Sequence, residues 1–311
     1  MPPTPSAGLS PPGRLLRDRR AAPRPEPGIA PVAEADLPLA ETLRRHWPEY
    51  AVEALFLAVF LLTAGMASSW MQGAAGGALA GIVTGLVLTG LVYSPWGRRS
   101  GSHLNPAITL AYLRLGKIRR WDALCYLVAQ LGAGLAAVWL LRSGLLSPPT
   151  TPPSLLSASL GPTNVWAAFV TELVLSAGAM LLILVTSNHA RWFRWTGVLY
   201  GLLVMVIVAC AAPLSGFGMN LARLLAVDLS GATASAWINL LPPLLGMQLA
   251  VEAYRLFTGR SQVLCAKLAH NTHGRCIFRC QHPYQTRALA MAAIKRQAAA
   301  RRQARSSLTD R

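Results

Sequence analysis

An all-α integral membrane protein is the fold class this sequence predicts, with six transmembrane helices, two re-entrant half-helices and an inverted repeat. Three observations lead there. Apolar segments of spanning length follow one another with scarcely a charge inside them. Basic residues gather on alternate connections. Two connections are themselves apolar, and each carries a helix start.

The chain has 311 residues, of which 53% are hydrophobic and only 13% charged, where soluble domains carry roughly a quarter. Six apolar segments run from about Tyr50 to Ala67, Gly77 to Ser94, Asp122 to Leu141, Asn164 to Ser187, Trp195 to Ala212 and Ala236 to Phe257. Each has about the 17–25 residues that a spanning helix needs. Residues 1–47, with runs such as PPTPSAGLSPPGR and RPEPG, are too polar and Pro-rich to bury a core and read as a disordered cytoplasmic tail. No apolar signal-peptide core precedes Tyr50, so the first span is expected to act as the insertion signal. Residues 48–257 form the expected channel domain, and 258–311 a basic cytoplasmic tail.

The lysines and arginines give an orientation. Of 29, all but Arg142 and Arg223 fall before the first span, between spans two and three, between four and five, or from Arg255 onward. The positive-inside rule then puts both termini in the cytoplasm, as an even number of spans requires. The same distribution accounts for the net charge of +17, and no nucleic-acid partner is expected. Of five cysteines, Cys125 and Cys210 lie in apolar spans and three cluster near the C-terminus, which is no secreted disulfide framework.

The two unusual connections are Ser100–Leu115 and Ser215–Leu229. Both are apolar, too short to span and open with Ser-Gly, so they read as segments that dip into the membrane and return. The halves match in other ways. Glu53 lies in span one, 52 residues before Asn105; Glu172 lies in span four, 48 before Asn220. Three spans per half make the repeat inverted, as in transport proteins with a midplane site.

Asparagine caps a helix N-terminus well and proline suits the first helical position, so Asn105-Pro106 starts a helix. Asn220 does the same without the proline, since Leu221 is a good helix former. Two half-helices meeting end to end would place two positive dipole ends at the midplane, where hydrogen-bond donors greet a neutral solute and cations are repelled.

GSHLNPAITLA (Gly101–Ala111) is similar to the first signature of the major intrinsic protein family, the aquaporins and glycerol facilitators. PLSGFGMNLAR (Pro213–Arg223) resembles the second, with Leu221 where the family usually has proline. The span-one and span-four glutamates, Ala129-Gln130 and Pro243–Gly246 also match. The resemblance implies a passive channel for small uncharged solutes, glycerol-like polyols or water, and no enzyme. It implies a pore motif of Asn105, Pro106, Ala107, Asn220, Leu221 and Ala222. It further implies a constriction at Arg223 and Phe217, with Val208 and Thr84 (or Gly85, depending on one inserted residue) completing it. Glu53 and Glu172 would be buried structural carboxylates and His103 a vestibular or structural residue. No cofactor is required, and a homotetramer in the cell's inner membrane is implied.

One cluster falls outside the resemblance. Cys265, His270, His273, Cys276, Cys280 and His282 lie within eighteen residues. Thiolates and imidazoles at this density suit zinc and softer metals, although no paired C-x-x-C is present. Free thiols or palmitoylated cysteines fit the same residues. Two other functions therefore stay open: a metal- or redox-sensing protein on a channel scaffold, and a proton-coupled small-solute transporter using Glu53 or Glu172.

Overall fold

The computed structural model describes residues 37–71, 73, 75–146, 165–210, 218–229, 236–258, 263–270 and 276–281. Among these the regular structure is all helical: α1 (Leu39–Trp70), α2 (Gly76–Tyr93), α3 (Pro95–Ser100), α4 (Pro106–Arg114), α5 (Arg120–Arg142), α6 (Val165–Ser187), α7 (Thr196–Cys210), α8 (Leu221–Leu229) and α9 (Ala236–Thr258). The described residues all fall within one compact unit.

Six long helices and two short ones at the dips match the expected order. Four of them, α1, α2, α5 and α6, are long and apolar enough to cross a membrane. The fifth, α7, is apolar over 15 residues, and α9 is 23 residues long with Pro242 and Pro243 inside it. Large apolar side chains, among them Leu55, Leu86, Val128, Trp139 and Val174, stand exposed on the outer faces of these helices. That surface suits lipid rather than water.

The structure departs from the sequence reading at the start of α1 and adds to it near the C-terminus. Helix α1 begins at Leu39, so residues 39–47 are helical and not part of a disordered tail. Glu41 in the first turn and its ion pair with Arg45 support a polar helix start that hydropathy passes over. The expectations for residues 1–36 lie outside the described residues. At the C-terminus, Val263, Cys265, Ala266, Leu268, Ala269, Ile277 and Phe278 are buried in the main core. This part of the supposed tail is packed against the channel domain.

Helix α3 is a short polar element that hydropathy does not mark. Ser94 caps it by accepting from the Gly97 N–H at 2.9 Å, Pro95 opens it, and Gly101 closes it in the left-handed region at φ 101°. These are ordinary start and stop signals.

The packing repeats between halves. The closest helix pairings are α1 with α5, α6 with α9, and α2 with α7 across the halves. The α2–α7 contact is backbone to backbone: a Cβ on Gly85 would lie 2.5 Å from the Gly201 carbonyl oxygen. Gly134 of α5 makes room likewise for Ala222 of α8, whose carbonyl oxygen would be 2.8 Å from an added Cβ.

Candidate functional site

The two half-helices meet at their asparagines. Asn105 is extended (φ −158°, ψ 122°), and its Oδ1 accepts from the Ala107 N–H at 3.0 Å. Asn220 Oδ1 accepts from the Ala222 N–H at 3.1 Å and the Arg223 N–H at 3.5 Å. Each asparagine also reaches the other half. Asn105 Nδ2 donates to the Met219 carbonyl at 2.8 Å, and Asn220 Nδ2 donates to the Leu104 carbonyl at 2.7 Å. The pair is reciprocal, as an inverted repeat demands. Both side chains are nearly enclosed.

Leu221 breaks the symmetry in a specific way. The half-helix it opens is intact. Because leucine keeps the N–H that proline lacks, Leu221 donates to Asn105 Oδ1 at 3.3 Å. Pro106, its counterpart, has no N–H to return the bond.

Behind the first dip stands Glu53, fully buried. Its Oε1 accepts from Ser100 Oγ at 2.9 Å and the His103 N–H at 3.0 Å. Its Oε2 accepts from the Leu104 N–H at 2.8 Å and Gln130 Nε2 at 3.1 Å. Ser102 and Leu104 are held at φ 55° and 49°, a region that costs a non-glycine residue energy. The carboxylate offsets that strain by gathering the N–H groups so exposed. Glu172 stands in the matching place and accepts from the Gly218 N–H at 2.7 Å. Gly218 and His103 each lie two residues before their asparagine.

His103 is enclosed and has both ring nitrogens engaged, Nδ1 with Thr109 Oγ1 at 3.1 Å and Nε2 with the Ala266 carbonyl at 2.8 Å. Its ring stacks between Tyr112 and Phe278. Thr109 and Gln130 also bond each other, which extends the Glu53 network. Ser100, Thr109 and Gln130 are residues that sequence reasoning passed over as actors. The Ala129-Gln130 match was the one signal pointing there.

The expected constriction residues fall as follows. Thr84 is fully buried, its hydroxyl donating to the Ala80 carbonyl at 2.7 Å. Gly85, the alternative to Thr84, packs against the α7 backbone at Gly201 and Met205. Val208 is buried on α7 beside Val204 and Ile207, and Arg223 is 2% exposed on α8. Phe217 lies outside the described residues.

Of the C-terminal cluster, Cys265, His270, Cys276 and Cys280 come together, with one ligand atom from each lying within 4.8 Å of all the others. His273 and His282 lie outside the described residues. Hydrogen bonds from Cys265 and Cys280 pull the Cys276 thiol well below its ordinary range, while burial pushes the Cys265 thiol up.

Comparison with known proteins agrees with this geometry. The sequence profile described as Major intrinsic protein matches residues 41–254. "Glycerol uptake facilitator protein-like 6" of Lactiplantibacillus plantarum is 31% identical over 224 residues, covering 69% of this chain and 98% of that protein. "Aquaporin A" of Dictyostelium discoideum is 31% identical over 188 residues, covering 57% of this chain. The match spans 64% of that relative's length. Among solved structures, the aquaglyceroporin from Plasmodium falciparum aligns with a TM-score of 0.55 at 20% identity, covering 68% of this chain and 95% of that one. The chain belongs to the major intrinsic protein family, whose members are membrane channels and not enzymes. It is an integral membrane protein with the aquaporin-like fold.

Proposed function

We propose that this chain is a passive channel for small uncharged solutes, glycerol-like polyols together with water. The reciprocal asparagine pair carries the reading. An amide NH2 has two donors; one bonds the opposite half, and the other remains for a solute oxygen. Two helix N-termini converge there, so the midplane favours oxygen acceptors and opposes cations and protons. A solute with hydroxyls exchanges water for these donors at little cost, whereas an ion would lose its hydration shell.

Thr84, Val208, Phe217 and Arg223 form the proposed constriction, one wall apolar and one wall donating hydrogen bonds. Such a wall pair suits a molecule larger than water with both kinds of face. The relative named a glycerol uptake facilitator supports the same solute class. Glu53 and Glu172 are proposed as structural carboxylates, a role supported by the four hydrogen bonds Glu53 accepts. The proposed setting is a homotetramer in the cell's inner membrane with both termini cytoplasmic. Conduction needs no cofactor; a metal at the tail cluster would act on the tail and not on the solute.

Stopped-flow swelling of proteoliposomes tests the reading with water, glycerol, urea and ammonia, each with and without Arg223→Val. Flux should be linear in the solute gradient and indifferent to proton gradient, and Arg223→Val should change the ratio of glycerol to water. Absence of flux for all four solutes sinks the channel. Flux that follows a proton gradient transfers the case to a coupled transporter.

A further inference from the structure

We propose that Cys265, His270, Cys276 and Cys280 bind one zinc-like cation, and that this metal holds the C-terminal segment as a plug against the first re-entrant loop. The inference rests on the channel reading above and adds its regulation.

The donor set comes first. Three thiols and one imidazole make a closed set of the kind structural zinc sites use. Metal–sulfur bonds of about 2.3 Å and metal–nitrogen bonds of about 2.0–2.1 Å put tetrahedral ligands roughly 3.6–3.8 Å apart. Cys265 Sγ and Cys276 Sγ are 3.6 Å apart, and His270 Nε2 and Cys280 Sγ 3.1 Å. No ligand atom lies more than 4.8 Å from another, so small side-chain adjustments close the tetrahedron. Each cysteine would bind as thiolate and release its proton to water. The residues carrying the set, 263–270 and 276–281, have no helix or strand, yet Val263, Ala266, Lys267 and Leu268 are almost wholly buried. A short irregular segment packed this deeply gains most from a cross-link, and a bound metal supplies one.

The placement of the segment gives the plug. The N–H groups of Ser102, His103 and Leu104 turn toward Ser100 Oγ and the Glu53 carboxylate. Each shares a planar trans peptide with the preceding carbonyl, which points the opposite way. The carbonyls of Gly101, Ser102 and His103 therefore face away from Glu53, as acceptors for whatever passes. The C-terminal segment occupies that side. The Leu268 N–H donates to the Gly101 carbonyl at 3.1 Å, and the Ala266 carbonyl takes His103 Nε2. Phe278 stacks on His103 and lies 2.8 Å from where a Cβ on Gly101 would stand.

The segment also ties down both neighbouring loops. Asn188 Oδ1 accepts from the Leu264 N–H at 2.6 Å, the Lys117 carbonyl accepts from the Arg279 N–H at 2.9 Å, and Lys117 Nζ donates to Gln281 Oε1 at 2.9 Å. These bonds fix the segment to the face that carries the basic loops. With the metal in place the segment stays seated; without it, exchangeable hydrogen bonds and the burial of side chains such as Val263, Leu268, Ile277 and Phe278 must hold it with no cross-link.

The test uses the full-length chain, purified reduced and reconstituted in proteoliposomes. Zinc content is measured, cobalt is substituted for its thiolate charge-transfer and tetrahedral visible bands, and water and glycerol flux are followed with zinc and after a membrane-permeant chelator. One equivalent of zinc per chain is expected. Stripping should raise flux severalfold, and added zinc should reverse it. The double variant Cys276→Ser, Cys280→Ser should bind no metal and conduct in zinc like the stripped protein. Phe278→Ala, which spares the ligands, should keep the metal and conduct better than the parent. No metal on the reduced protein overturns the site. Bound metal with flux unchanged by stripping and by Phe278→Ala overturns the plug. Absence of flux in every state, including Phe278→Ala and the stripped protein, overturns the channel reading and the plug together, and metal content then decides the site alone.

Discussion

In the first half the dip passes through two left-handed residues, is gathered by Glu53, and enters its helix at Asn105-Pro106. In the second half the helix opens at Asn220-Leu221, and Arg223 follows inside its first turn. The first dip is also covered by the C-terminal segment. Both halves solve one geometric problem, presenting an asparagine amide at a helix start. The first adds a rigid frame of carboxylate, glutamine and threonine. The second replaces a proline with a residue that donates one more bond across the junction. The lesson is that the two signatures are equivalent in placement and not in the bonds that hold them.

The largest expected effect is at the frame. Glu53→Ala removes the acceptor for two backbone N–H groups, a hydroxyl and an amide, all buried. Ser100 and Gln130 keep second partners, so at about 1–3 kcal/mol for each of the two N–H groups left without one, a loss of about 2 kcal/mol or more is expected. Thermal unfolding in detergent measures it, and a melting temperature unchanged from the parent would show that the dip does not depend on this carboxylate. Gly85→Ala comes next. Its Cβ would meet the Gly201 carbonyl at 2.5 Å, so α2 and α7 must separate at about 1–3 kcal/mol. The same melting assay applies, with flux falling in parallel if Thr84 and Val208 move with their helices.

The asparagine junction offers a finer measurement. Asn105→Ala removes the acceptor for Ala107 N–H and for Leu221 N–H; Leu221→Pro removes the second of these donors alone. A double-mutant cycle between them should show a coupling of about 0.5–1.5 kcal/mol. Zero coupling would mean the cross-junction bond contributes nothing. The smallest stability effect is expected at Thr84→Val. The hydroxyl bonds within its own helix, so stability should move by about 0.5 kcal/mol or less. The ratio of glycerol to water flux should nevertheless shift, and an unshifted ratio removes Thr84 from the constriction.

Much of this was legible because it is local. Five of the six long helices begin and end within two residues of their apolar segments, since length in a bilayer is set by hydropathy. The half-helix starts at Asn105 and Asn220 were legible because capping is a property of adjacent residues. The beginning of α1 at Leu39 was not, because a polar amphiphilic turn carries no hydropathy signal. The close approach of α2 and α7 at Gly85 was not legible either, because no spacing along one helix reveals which neighbour it meets.

By itself the sequence determined the class of protein, the inverted order of its elements, the two asparagine-headed dips and the presence of a thiol- and imidazole-rich C-terminus. Each is written in composition, periodicity or neighbouring residues. Only the tertiary structure decided that the asparagines bond each other's half and that Leu221 uses its N–H on Asn105. It alone decided that four residues of the C-terminal cluster converge while their segment packs against His103 and Gly101. The hydrogen bonds among those contacts join residues from ten to more than a hundred and sixty positions apart, and only folding in three dimensions sets such distances.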